Sequence, residues 1–201
     1  MPSSLRQSTE SRQAEIIATM LALAAESNPA DIATTDIARA MNVTQGALFR
    51  HFPSKEAIRL GVAEWVEAQL MARLGAARQA APDALQGLEA MFRAHVQFIL
   101  EFPGVPRFVF AELQQPGGSP VRQCVQKIMQ RHRQTVAEVL ESARATQLIR
   151  QDLDCRAAAA LFLGAIQGLV IQAMLGEAPA DIDERAAGVL RLYRSGLGAR
   201  P

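Results

Sequence analysis

The chain has 201 residues, 49% of them hydrophobic, with 21 basic and 20 acidic side chains and a formal net charge of +1. That composition supplies a sizeable core, excludes a disordered chain, and excludes bulk positive charge as the basis of any nucleic-acid binding. The two cysteines, Cys124 and Cys155, lack C-x-x-C spacing and have no His/Cys/Asp cluster beside them, so free thiols are expected, with no metal and no cofactor.

The polar opening stretch, MPSSLRQSTESRQ, lacks the apolar run of a signal peptide and reads as a partly ordered arm. From Glu10 to about Glu26, Ile16, Met20 and Leu23 recur at helical spacing beside Ile17, Leu21 and Ala24, which predicts a first helix. Asn28-Pro29 ends it. Thr34 to Lys55, TTDIARAMNVTQGALFRHFPSK, then reads as two short helices joined by a tight turn. Thr34 and Thr35 are N-cap types ahead of Ile37, Ala38 and Met41, which share a face. Asn42 suits a left-handed helix exit. Thr44 can cap a second helix from Gln45 to about Phe52, with Val43, Leu48 and Phe52 setting its angle against the first. Pro53 closes it, because the residue before a proline is pushed out of helical geometry. Ser54 can cap the next helix.

A single helix fits the major groove of B-DNA, and its amino-terminal residues face the base edges. Here those residues are Gln45, Gly46 and Ala47, followed by Phe49, Arg50 and His51. Glutamine can bond the N6/N7 edge of adenine through both its amide atoms. Gly46 and Ala47 are small enough to let the backbone approach, and Arg50 and His51 fall where the groove wall presents phosphates. The plain alternative is a helical hairpin with no ligand. Residues 1–60 carry six bases and six acids, so local placement would have to do the binding.

The string VTQGALFRHFPSKEAI, with TTDIARAMNV and more loosely Ile16 to Ala25, resembles the recognition helix and flanking turns of the TetR (tetracycline-repressor-like) family of bacterial regulators. The resemblance covers about the first third of the chain. It implies that Gln45 and the next few residues meet bases and that His51 and Lys55 meet phosphates. Thr35, Thr44, Gln45, Gly46, Ala47, Phe49, Arg50, His51 and Lys55 are thus the expected DNA-binding set. The family usually has tyrosine where this chain has Phe49. Without the hydroxyl that side chain cannot donate to a phosphate, although it can touch a thymine methyl.

Further on, Glu56 to about Ala77 reads as a longer helix striped by Ile58, Val62, Trp65, Val66 and Leu70. After the Ala80-Ala81-Pro82 break, Asp83 can cap a helix to about Glu101, with Gln86 completing a capping box. Pro103-Gly104 and Pro106 are expected to interrupt before a short apolar helix, Arg107 to Leu113. Gln115 to Pro120 is a loop. Val121 to about Ala145 follows as a long helix, with Val121, Val125, Ile128, His132, Val136, Val139 and Ala143 tracing one face. Its Arg122, Lys127, Arg131 and Arg133 read as a solvated face, or one pairing with acids on another helix, in preference to a nucleic-acid patch.

Asp152 or Asp154 can cap the next helix, apolar on nearly every side from Ala157 to Leu175. Gln167 and Gln172 within it and the absence of an aromatic belt argue against a membrane span, so burial on several sides is expected. Gly164 and Gly168 permit close approach of another helix. Asp181 and Glu184 suggest a capping box for a last helix ending near Ser195.

The expected fold is all-α: a helix-turn-helix domain over 1–55 and a larger helical ligand-binding and dimerisation domain over 56–201. The family resemblance implies that the last two long helices pair with their copies in a second subunit. The larger region shows no G-x-S-x-G, P-loop or G-x-G-x-x-G, so no enzyme is expected. His95 and His132 read as core histidines or as polar anchors in a ligand pocket. Phe92, His95, Phe98, Phe102, Arg107, Phe108 and Gln114 are the candidate contacts for an unidentified small-molecule effector. The function expected is a cytoplasmic, homodimeric repressor that leaves a palindromic double-stranded DNA operator when the effector binds. An all-α protein-interaction module and a ligand-sensing activator are the alternatives.

Overall fold

The structure is a computed structural model describing residues 8–176 and 178–198; the predicted arm lies, through residue 7, outside them. Among the described residues there are nine α-helices and no strand. These are α1 (Thr9–Glu26), α2 (Thr34–Ala40), α3 (Gln45–Leu48), α4 (Lys55–Ala80), α5 (Ala84–Glu101), α6 (Gly104–Leu113), α7 (Pro120–Ala145), α8 (Cys155–Met174) and α9 (Pro179–Gly196). They pack as two units. The chain up to Glu67 together with Phe102–Gln126 forms the first, and Ala68–Glu101 with the chain from Lys127 onward forms the second.

In the first unit α1 buries Ile16, Ile17, Met20, Leu21 and Ala24 of the face its spacing predicted, with Leu23 half-buried. Ile37 and Ala38 of α2, Leu48 of α3, Phe52, and Ile58 and Val62 of α4 are buried as well. Helix α6 packs closely on α1. A Cβ at Gly104 would lie 1.9 Å from the Leu21 carbonyl oxygen, so only glycine allows this approach. α6 begins at Gly104 rather than Arg107, which corrects the expected interruption. Pro106 falls in the first turn, where the missing N–H would have had no intrahelical partner. Glu112 of α6 is only 1% exposed and is held by Arg59 of α4, whose Nε and Nη2 both lie 2.7 Å from its Oε1.

Along α7 every residue of the predicted stripe is buried. In the second unit the Asp154 carboxylate caps α8, accepting from the N–H groups of Arg156 and Ala157. α8 packs on α9 and α5 through Ala158, Phe162, Leu163, Ile166, Leu169 and Val170. It is long and apolar enough, by length and composition, to cross a membrane, yet much of its apolar surface is core. The expectation of burial on several sides needs correction. Leu161 (62% exposed), Gly164, Gly168, Ile171 and Leu175 (75% exposed) recur at three and four and leave one apolar face open. α9 begins at Pro179, so Asp181 sits inside its first turn and is not the cap. Proline at the start of a helix gives up only an N–H that no turn would use.

Candidate nucleic-acid interface

The turn between α2 and α3 follows the local chemistry. Asn42 takes the left-handed conformation, with φ 53°, where most side chains clash. Thr44 Oγ1 accepts from the Ala47 N–H at 3.2 Å and caps α3. Leu48 anchors α3 from beneath, and only Gln45–Leu48 is regular helix; the chain then continues through turns to His51. Ser54 Oγ accepts from the Ala57 N–H at 3.0 Å and starts α4.

This leaves Thr44, Gln45, Gly46, Phe49 and Arg50 exposed, with Ala47 half-buried. Exposed Thr35 lies on α2. A Cβ on Gly46 would meet nothing within 4 Å. Packing therefore gives no reason for glycine there, although it costs roughly 0.5–1 kcal/mol in a helix relative to alanine. A close-approaching external backbone would supply one. Phe49 is the large apolar side chain that this surface leaves in water.

Three non-local hydrogen bonds hold the surface. Gln45 Nε2 donates to Thr34 Oγ1 at 2.7 Å, although the two are eleven positions apart. Thr34 is thus the first residue of α2 and a partner of Gln45, not the cap that the sequence suggested. The cap position falls to Ala33, whose N–H donates to the Asp36 carboxylate at 2.9 Å. Gln13 Nε2 of α1 donates to the His51 carbonyl at 2.9 Å and ties down the end of the segment that follows α3. Lys55 Nζ donates to the Ala30 carbonyl at 3.3 Å, so its ammonium is engaged in this structure. Thr34 and Gln13 escaped the sequence reading because neither bond is local. A second threonine beside Thr35, where one cap would suffice, is the only hint.

Residues 16–62 match the family described as bacterial regulatory proteins, tetR family, and residues 111–189 match the tetracyclin repressor-like C-terminal domain. The chain belongs to the TetR family. It is a DNA-binding transcriptional regulator of that family. It is similar to the nucleoid occlusion factor SlmA of Vibrio atlanticus (strain LGP32), 24% identical over 137 residues that cover 68% of this chain and 70% of that protein. In fold it resembles the fatty acid degradation regulator FadR from Bacillus halodurans, with a TM-score of 0.80 at 18% identity over 94% of this chain and 97% of that one. A TetR transcriptional regulator from Chloroflexus aurantiacus J-10-FL gives 0.80 at 20% identity over 96% of this chain and 98% of that one. The family and these neighbours are regulators, not enzymes.

The residues predicted to meet an effector divide between the units of this TetR-family chain. Phe92, His95 and Phe98 lie in the second, whereas Phe102, Arg107, Phe108 and Gln114 lie in the first. Phe98 is buried under the Arg73 guanidinium, 5.0 Å from its ring centroid. Phe102 meets Trp65 edge-on at 5.1 Å, and Phe108 is fully buried. Gln114 is exposed and donates back to the Phe110 carbonyl of its own helix. The arrangement brings His95 together with His132, ring centroids 4.8 Å apart. Burial lowers the His132 pKa to about 4 and holds that of His95 well below its ordinary value, with the neighbouring His132 adding to the latter.

Proposed function

We propose that this regulator acts as a homodimer, binds a palindromic operator through α3, and releases it when a small molecule occupies the helical region. The observation that carries the reading is the exposed amino-terminal end of α3, where Gly46 is small with no packing reason. Gln45, Gly46 and Ala47 face the bases in this reading, with Phe49 against a thymine methyl. Thr35, Thr44, Arg50, His51 and Lys55 serve the phosphates. Lys55 exchanges the Ala30 carbonyl for a phosphate oxygen on binding.

One short helix touches too few base pairs for useful specificity, so two copies are needed. The open stripe of α8, Leu161 to Leu175, and Leu192 of α9 at 76% exposure supply a self-complementary apolar face. Residues 1–55 read DNA, and 56–201 bind the effector and the second copy. Phe102–Gln126 packs within the first unit, with α6 on α1, so a ligand held by that segment would bear on the helices that support α3. Release requires that the effector bind the two conformations with different affinity. The regulator works in the cytoplasm, where its operator is. The predicted effector contacts are taken unit by unit: Phe92, His95 and Phe98 in the second, and Phe102, Arg107, Phe108 and Gln114 in the first.

The test is selection from random duplex DNA by the purified full-length protein, with and without a metabolite extract. A palindromic consensus is the expected result, and its half-site spacing gives the distance between the two α3 helices. Recovery of no consensus under either condition, from protein verified as folded and dimeric, would overturn the operator reading.

A further inference from the structure

The second unit contains a polar defect that the DNA-binding role does not use. His132 of α7 is 0% exposed, and neither of its ring nitrogens has a hydrogen-bond partner. Nδ1 of His95, on α5, is likewise buried without one. Buried polar atoms in folded proteins are nearly always paired, and leaving one without a partner is destabilising. Here three such atoms lie on two rings that face each other at 4.8 Å with planes tilted by 45°. A random packing fault would not gather them.

Their surroundings are aromatic. Phe162 meets His132 edge-on at 6.3 Å, Phe92 at 5.3 Å and Tyr193 at 5.6 Å. The Tyr193 hydroxyl is already committed, donating to the Ala158 carbonyl at 2.9 Å. The imidazole nitrogens are therefore the polar atoms this cluster has to offer. α5 packs closely on α8 and α9, and the imidazoles of His95 and His132 meet between α5 and α7.

We propose that His95 and His132 form the polar end of an effector site for a small uncharged molecule with an aromatic or alicyclic body and a hydroxyl head. The inference rests on the ligand-controlled reading above and gives that ligand a chemical class. A neutral imidazole has one donor and one acceptor, which matches a hydroxyl that must both give and receive. Burial keeps both rings neutral, so they suit a carboxylate poorly, since it needs donors only. A metal ion fits worse. Among the described residues no group of three or more His, Cys, Asp or Glu is placed to hold one, and two imidazoles leave a zinc ion half-coordinated. Phe92 and Phe162 take the body of the ligand.

The experiment is thermal unfolding of the full-length protein with phenol, benzoate or toluene at one matched millimolar concentration, for wild type, His132→Phe and His95→Gln. Release of a selected operator fragment is read in parallel. Phenol should raise the wild-type Tm more than toluene or benzoate does. His132→Phe should lose the phenol shift and, freed of two orphan nitrogens, unfold at a temperature equal to or above wild type. His95→Gln should reduce the shift and keeps the case testable if His132→Phe does not fold. Equal shifts for phenol and toluene, or no shift with phenol, would overturn the ligand class. A well-folded His132→Phe with a markedly lower Tm would overturn the site, because it would mean the nitrogens are satisfied within the protein. A phenol shift abolished in the variants supports the site even if operator DNA stays bound, and that result would count against ligand-controlled release instead.

Discussion

The side-chain amide of Gln45 is held by the hydroxyl of Thr34, 2.7 Å away, before any DNA is present. An amide nitrogen has two hydrogens, so the bond leaves one N–H and the carbonyl oxygen available, the pair that adenine requires. The bond also fixes the rotamer of an exposed side chain and lowers the entropy cost of binding. Thr34→Val keeps the shape and removes the acceptor. It should relax discrimination at the base that Gln45 is proposed to read, by part of the roughly 1–3 kcal/mol that such a contact contributes. Thr34→Ser should preserve discrimination. Competition among single-base operator variants measures it, and a uniform loss across all variants would assign Thr34 a purely structural role.

Lys55 is engaged with the Ala30 carbonyl in the free protein. If it turns to a phosphate on binding, Lys55→Ala weakens all DNA sequences alike and lowers the salt-dependence slope by about 0.9, the share of one neutralised phosphate. Binding measured across a range of salt decides this. An unchanged slope with a lower Tm would leave Lys55 only its bond to the loop.

Arg59 and Glu112 form a buried ion pair in which one carboxylate oxygen takes both contacts and Oε2 has no partner. Arg59→Ala strands a buried carboxylate and should cost about 3–5 kcal/mol. Replacing both residues, as Arg59→Met with Glu112→Leu, should recover most of that loss. Equilibrium denaturation of wild type and the two variants compares the stranded charge with its apolar replacement.

The buried histidines make stability depend on pH. The His132 pKa is lowered to about 4 by burial, against an ordinary value of 6.5. Between those values the unfolded chain binds a proton that the folded chain does not. Stability is therefore complete above pH 6.5 and falls as the pH drops toward 4, by up to about 1.4 kcal/mol per pH unit for each such group. His132→Phe should flatten the curve between pH 6.5 and 5, above the range where the carboxylates titrate. An equal slope in wild type and variant would mean that His132 is not buried in its neutral form.

Leu161 on α8 is 62% exposed in the single chain, so a charge there leaves the protomer core alone. Leu161→Glu should halve the molecular mass seen by light scattering and lower operator affinity with little change in helix content. A dimer that survives the substitution would place the interface elsewhere.

Where a signal is local, the sequence carries it plainly. Asn42 in the left-handed region, Thr44 capping α3, Pro53 closing the segment and the Val121-to-Ala143 stripe of α7 each depend on a few neighbouring residues. The misreadings share a cause. Thr34 passed as a cap because its true partner lies eleven residues on, and Pro106 passed as a break because a proline inside a first turn looks the same as one between helices. α8 looked equally apolar on all sides because periodicity says nothing about which face another helix will cover.

The sequence by itself determined the helices and their turns, since each follows from backbone preference and spacing within a few residues, and the resemblance of its short motifs pointed to the family. Only the tertiary structure decided which side chains meet. The Arg59–Glu112 pair joins residues 53 positions apart, and the facing imidazoles of His95 and His132 come from different helices. Helical periodicity places a residue on a face, but the neighbour across that face is set by how whole helices pack, which no local pattern encodes.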